Sequence, residues 1–135
     1  MIVLDSSFII AYHNTRDVHH PAAARAMVQL VAGEWGEALL LEYVFLEVVT
    51  VLRARRTLDV ASEVGSSLLR AREITFVPCS DLFEEAFELF RRQGKRELSL
   101  VDSAIVVVAR RDRSGFVATF DDDFRGLRGV TVLPS

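Results

Sequence analysis

The chain has 135 residues, half of them hydrophobic, with sixteen Lys or Arg against nineteen Asp or Glu and a formal net charge of −3. That length suits one domain around one core, and the apolar content excludes disorder. No apolar run approaches the roughly 20 residues of a membrane span, no basic segment precedes the first apolar residues as in a secretory leader, and the lone Cys79 excludes an internal disulfide or a cysteine-based zinc cluster.

The predicted elements alternate. Ile2, Val3 and Leu4 form a strand that runs into a short helix from Ser6. The stretch "HHPAAARAMVQLVAG" reads as a helix with Pro21 in its first turn and Gly33 past its end. A short buried strand follows at 38–41. "YVFLEVVTVLRARR" is a helix with a basic C-terminal end, where cations complement the macrodipole, and "DVASEVGSSLLRARE" is another. "ITFV" is a strand stopped by Pro78. "SDLFEEAFELFRRQG" is an amphipathic helix with Phe83, Phe87 and Phe90 on one side and Gly94 as its stop. "SLVDSAIVVVARR" is an apolar helix with Ser99 as N-cap; "GFVATF" and "VTVL" are the last strands. Strands alternating with helices predict an α/β fold, a three-layer α/β/α sandwich on a mostly parallel sheet. Its site belongs at the carboxyl ends of the strands.

Four acids stand out against this frame. Asp5 follows the first strand directly, between two apolar runs; an N-cap is the alternative role. Glu47 lies in a helix among Val44, Val48 and Val51, where a carboxylate is unusual unless paired, bound to a cation or turned to the solvent edge. Asp102 is embedded in a helix apolar almost all round, so its carboxylate points toward an interior pocket; in the first turn it also complements the helix dipole. Asp121, Asp122 and Asp123 follow a strand, where three acids are otherwise a solvated turn. Four carboxylates brought together repel one another and raise each other's pKa. A divalent cation removes that penalty, and all-oxygen ligands suit Mg²⁺ or Mn²⁺, which also bind phosphate. The residues thus point to metal-dependent phosphoryl transfer, most simply a nuclease.

In this order the motifs resemble those of PIN domains: strand–Asp5-Ser6-Ser7, "LEVVTVLRAR" with Glu47, "LSLVDSAIVVVAR" with Asp102, and "VATFDDDF" with Asp121. The pattern is closest to the VapC-like ribonuclease toxins of toxin–antitoxin pairs, and it covers essentially the whole chain, 1–135, as a single domain. The resemblance implies an Mg²⁺- or Mn²⁺-dependent endoribonuclease, a homodimer and a cognate antitoxin that inhibits it. It also implies catalytic and metal-binding roles for Asp5, Glu47, Asp102 and Asp121. Glu42 is the other acid near the second motif, but the apolar stretch leading to Arg53 fits Glu47. The family's Thr-x-Asp pattern selects Asp121 after Thr119. Asp123 is a supporting acid, Asp122 the one most exposed to water, and Ser7 is placed to orient a carboxylate or a metal-bound water.

The remaining features read plainly. His13, His19 and His20 lack metal-ligand spacing and suit the surface, with His13 close enough in sequence to Asp5 to approach substrate. Trp35 and Cys79 suit packing. Fifteen of the sixteen basic residues are Arg, with Lys95 alone; clusters at 53–56, 91–96 and 110–113 suit helix ends, and a share of them suits an RNA backbone. A receiver domain, a P-loop nucleotidase and a haloacid-dehalogenase-type phosphatase are excluded by missing acids, Lys or Gly. A non-catalytic PIN-like RNA-binding or scaffold protein and a PIN nuclease of general RNA metabolism remain as alternatives. The expected location is a reducing cytoplasm, with no membrane association.

Overall fold

The computed structural model describes all residues, Met1–Ser135. Strands β1 (Ile2–Leu4), β2 (Ala38–Leu41), β3 (Ile74–Val77), β4 (Phe116–Ala118) and β5 (Thr131–Leu133) form one sheet in the order β3-β2-β1-β4-β5. Every neighbouring pair is parallel, with Ile2 opposite both Ala38 and Phe116, Ala38 opposite Ile74, and Phe116 opposite Thr131. The expected mostly parallel sheet is therefore wholly parallel. The two central strands β1 and β2 are buried at every residue, whereas edge strands β3 and β5 are not. Continuous apolar runs of this kind fit strands covered on both faces.

Helices α1 (Ser6–His13), α2 (His20–Val31), α3 (Glu42–Arg55) and α4 (Leu58–Arg70) connect the strands that step outward from β1 to β3. Helices α5 (Phe83–Arg91) and α6 (Leu100–Ala109) carry the chain from β3 across to β4. Right-handed crossovers place the first set on one face of the sheet and the second on the other. The packing agrees: α1 meets α2 and α3, α3 meets α4, and α5 meets α6. The strand order thus reverses between β1 and β4. The crevice outside the carboxyl ends of these two strands is where an open α/β sheet offers a site.

Helix ends follow their sequence signals closely. Ser99 caps α6 reciprocally: its hydroxyl accepts the Asp102 N–H at 3.0 Å while the Asp102 carboxylate accepts the Ser99 N–H at 2.9 Å. Gly33 (φ +79°) and Gly94 (φ +70°) supply the left-handed turns after α2 and α5. Helix α4 stops at Arg70, three residues before the predicted end, and starts one residue earlier through a Thr57 cap on the Val60 N–H. In α5, the aromatic side predicted by its periodicity faces outward. Leu82 and Ala86 are buried, with Leu89 packed against the core, whereas Phe83, Phe87 and Phe90 are exposed. Small Ala86 lets α5 approach α6 closely, so the larger rings occupy the neighbouring face.

Two packing features hold the end of β4 in place. Gly115 faces the Gly129 carbonyl so closely that a Cβ there would overlap it, and its own carbonyl accepts the Thr131 N–H at 2.8 Å. Just after the acidic run, Phe124 is fully buried and anchors the turn Asp122–Phe124. Truncating it to Ala should cost about 3–5 kcal/mol.

Candidate active site

Asp5 sits at the carboxyl end of β1, and its N–H donates to the Ala118 carbonyl at the end of β4 (3.0 Å). It occupies the N-cap position of α1, but its side chain makes no cap bond. The carboxylate is instead taken up by two hydroxyls. Thr119 Oγ1 donates to Oδ2 at 2.7 Å and Ser7 Oγ donates to the same atom at 2.8 Å. Both hydroxyls also accept, Thr119 from the Asp121 N–H (2.9 Å) and Ser7 from the Phe120 N–H (3.0 Å). Their own contact of 3.1 Å is then a consequence of sharing Asp5 rather than a further bond. This network joins β1, α1 and the loop after β4, fixes Asp5, and leaves its Oδ1 free of the two hydroxyls.

Asp5 is 3% exposed. Burial pushes its carboxyl above the ordinary carboxylate range, the Thr119 and Ser7 bonds oppose that rise, and the charge of Asp121 adds to it. Asp102, half-buried in the first turn of α6, is pushed up to about 6. Burial is the largest cause, the capping bond from Ser99 opposes it, and the charges of Asp5 and Asp121 add to it. Asp5, Asp102 and Asp121 therefore share one electrostatic environment, although they lie on three separate stretches of chain. None of the chain's ion pairs involves any of them.

The other acids stand further out. Glu47 is half-buried on α3, and Ser6 donates a hydrogen bond of 2.5 Å to its Oε1. It reaches the group through the residue next to Asp5 rather than by acting on Asp5 directly. Asp121 Oδ1 accepts the Asp123 N–H at 2.9 Å and so shapes the turn that follows. Asp123 is raised by the charge of Asp121 first, then by burial and by Glu97. Asp122 is the solvated member, its carboxylate 89% exposed and paired with Arg125 at 3.0 Å. Glu42 serves elsewhere, accepting the Cys79 N–H at 2.9 Å.

Three contributors carried no assigned role in the sequence reading. Ser6 positions Glu47, and the Ser doublet directly after the strand-end Asp was its only signal. Glu97 faces Asp123, and nothing in its exposed, charged neighbourhood marks it. Arg96 donates to the carbonyls of Arg125 (3.1 Å) and Gly126 (3.2 Å), which ties the acidic turn to the segment before α6. Its position in an Arg cluster suited a helix end, with an RNA backbone as the role for a share of such residues. His13 lies away from the acids, beside Glu63 of α4, where burial lowers its pKa.

The donor set is carboxylate and hydroxyl oxygen, which fits a hard divalent cation, and the raised carboxyls are those such a charge would relieve. As they stand, no three acidic or imidazole side chains close around a common point; their coupling is electrostatic rather than by contact. Arg53, Arg55 and Arg56 are exposed and form no ion pair. No helix is long and apolar enough to cross a membrane.

A model of the PIN domain matches residues 2–130. Among solved structures, Mycobacterium tuberculosis VapC20, described as a sarcin-ricin loop cleaving toxin, is similar at 26% identity and a TM-score of 0.78, over 96% of this chain and 98% of that one. PAE2754 from Pyrobaculum aerophilum shares the fold at 17% identity and a TM-score of 0.62, over 97% of this chain and 87% of that one. No curated protein sequence matches.

Proposed function

We infer the activity from one premise: this chain belongs to the PIN-domain family. It is a divalent-metal-dependent endoribonuclease and acts as the toxin of a toxin–antitoxin pair. The observation that carries this reading is the placement of buried Asp5, fixed by Thr119 and Ser7 at the carboxyl end of β1, with Asp5 and Asp121 near enough to Asp102 for their charges to add to the rise that burial gives its carboxyl, in the crevice where the sheet order reverses. Similarity to a toxin that cleaves the sarcin-ricin loop supports RNA as the substrate.

Asp5, Asp102 and Asp121 would hold Mg²⁺ or Mn²⁺, with Glu47 and Asp123 at the margin. A bound divalent ion supplies charge to a phosphodiester and a more acidic water. The chain's own contribution is orientation. Ser7 and Thr119 fix Oδ2 of Asp5, Ser6 fixes one oxygen of Glu47, and the capping box fixes Asp102 against Ser99. Without metal the acids repel a phosphate backbone, so productive binding of RNA requires the ion. Splayed single strands or loops reach such a recess more readily than a duplex.

Residues 1–135 act as a single nuclease domain in the cytoplasm. The family likeness also supports a homodimer and an antitoxin whose cation, an Arg, neutralises the acids and displaces metal. Leu46 of α3 and Leu69 of α4, both exposed, line an apolar hollow of about 530 Å³ with Phe45, Phe76 and Phe83, a surface suited to such partners.

The test is cleavage of single-stranded RNA with Mg²⁺ or Mn²⁺, its loss in EDTA, and its loss in Asp102→Asn. RNA bound but uncut by the metal-loaded chain would favour the non-catalytic alternative. Faster cutting of duplex DNA at the same metal concentration would remove RNA as the substrate.

A further inference from the structure

Beside the acidic crevice lies a second hollow, of about 530 Å³, within the size range of small-ligand sites. His19, Ala22, Arg25 and Gln29 form one wall, from the start of α2 along one face of it, and Phe120 and Arg125 form the other. Asp122 and the C-terminal Ser135 belong to that second wall, so the hollow carries both signs of charge. The His19 ring lies on Phe120 with 4.4 Å between centroids and 7° between planes, and Phe120 in turn stacks on the fully buried Phe8 at 6.1 Å. These rings form a ladder from the core to the surface that ends on His19, an exposed side chain. The backbone N–H of His19 donates to Asp17 Oδ1 at 2.8 Å, which fixes the turn that carries the ring, and the stack on Phe120 orients the ring itself. A planar ring held flat at the mouth of a hollow is a stacking platform for another planar ring.

The chemistry around the platform suits a nucleotide. Arg25 is exposed and forms no ion pair, so its guanidinium is available to phosphate. Arg125 is partly engaged by Asp122 at 3.0 Å. The amide of Gln29, steadied by Glu34 at 3.0 Å, suits a base edge. Phe120 ties the hollow to the reacting centre: it lies between Thr119 and Asp121, and its N–H rests on Ser7 Oγ. RNA in the acidic crevice would lay its neighbouring nucleotide here.

We propose that the His19–Phe120 stack is the binding platform for a nucleobase adjacent to the scissile phosphate, with Arg25 holding that nucleotide's phosphate. The proposal rests on the ribonuclease reading of the neighbouring acids. It makes His19 a determinant of substrate binding and cleavage-site choice. It assigns His19 no part in the chemical step.

Two measurements test it. Stacking is sequence-tolerant and its loss weakens binding by roughly 5- to 150-fold per base. His19→Ala should therefore raise KM for a short single-stranded RNA by that factor and leave kcat within about twofold, while His19→Phe restores KM. In the wild-type chain with Mg²⁺, a tetranucleotide with non-hydrolysable methylene-phosphonate linkages should move the His19 ring-proton resonances upfield, leave those of His13 in place, and lose the effect when its bases are absent. An unchanged KM in His19→Ala would overturn the proposal, as would equal shifts from the abasic strand. RNA cleavage by wild type with His19 unmoved defeats the platform alone. An upfield shift without cleavage in any divalent metal defeats the ribonuclease reading and leaves the platform standing.

Discussion

The charged cluster on α5 and the acids around the start of α6 are built oppositely. On α5, Glu88 stands between Arg91 (2.7 Å) and Arg92 (3.1 Å), and the hydrogen bond from Arg91 holds its carboxyl below the ordinary range. At the start of α6, Asp102 faces Asp5 and Asp121 with no cation paired to any of them, and its carboxyl is pushed up to about 6. The same residue chemistry thus serves the surface in one place and works against stability in the other. A protein keeps uncompensated buried carboxylates where something outside the chain supplies the missing charge.

The largest expected consequence is on catalysis. Asp102→Asn keeps an acceptor for the Ser99 N–H but removes a charge, so the α6 cap survives while metal binding weakens. RNA cleavage should fall by at least about 100-fold, while the melting temperature in metal-free buffer at pH 7 should rise. A variant that cleaves at the wild-type rate would take Asp102 out of the mechanism. One that is inactive and less stable would show that Asp102 is structural.

Thr119→Val probes what holds the acids in place. It deletes the bond to Asp5 and leaves the Asp121 N–H without its acceptor. An orphaned buried group costs about 1–3 kcal/mol, measurable as a lower denaturation midpoint, and the loosened Asp5 should lower cleavage as well. Ser7→Ala should follow the same pattern more weakly, because Ser7 is the more exposed of the two. If Thr119→Val lost stability but kept full cleavage, the hydroxyl pair would be scaffolding only.

Acidity offers a third test, in metal-free buffer. In the unfolded chain Asp102 titrates near its ordinary value of 3.8; in the folded chain it titrates near 6. Between these values the folded state binds the proton more tightly, so stability increases as pH falls through that window. Above about 6 the gain is absent, because both states are ionised. The expected gain is about 1–2 kcal/mol, discounted for the solvent that reaches a half-buried carboxyl. Asp102→Asn should flatten this part of the profile, and so should saturating Mg²⁺, which takes over the role of the proton. A wild-type profile already flat between pH 4 and 6 would mean that neither burial nor the neighbouring charges raise the Asp102 carboxyl.

Much of this was legible in the sequence, and the gaps have physical causes. Apolar strand runs, the Ser99 cap and the terminal glycines are local signals, and they placed most elements to within a residue or two. Asp5, Glu47 and Asp102 stand out in the sequence because each is out of keeping with apolar neighbours, whereas Asp121 is singled out only by the Thr-x-Asp pattern of the family. One local signal was masked: Thr57 caps the Val60 N–H three residues on, among the charged Arg55, Arg56 and Asp59. The rest of what stayed hidden depends on distant partners. Periodicity shows that Phe83, Phe87 and Phe90 share a face, but which face meets α6 is decided by Ala86. The His19–Phe120 stack joins residues about a hundred positions apart, so His19 read as an ordinary surface residue.

The smallest effect belongs to the compensated set. Glu88→Gln removes the partner of Arg91 and Arg92 on a surface where all three side chains are at least half exposed or nearly so. Helical pairs of this kind contribute little because water screens them and their flexible side chains lose freedom in forming them. Cleavage should be unchanged within error, and the melting temperature should fall only slightly, the fall shrinking further in high salt. The sign is opposite to that for Asp102→Asn: Glu88 has a lowered pKa, so its contribution exists above the unfolded value and is lost as pH falls. A stability loss at Glu88 as large as the gain at Asp102 would break the contrast between the two sets. A measurable drop in cleavage would extend the functional surface across α5.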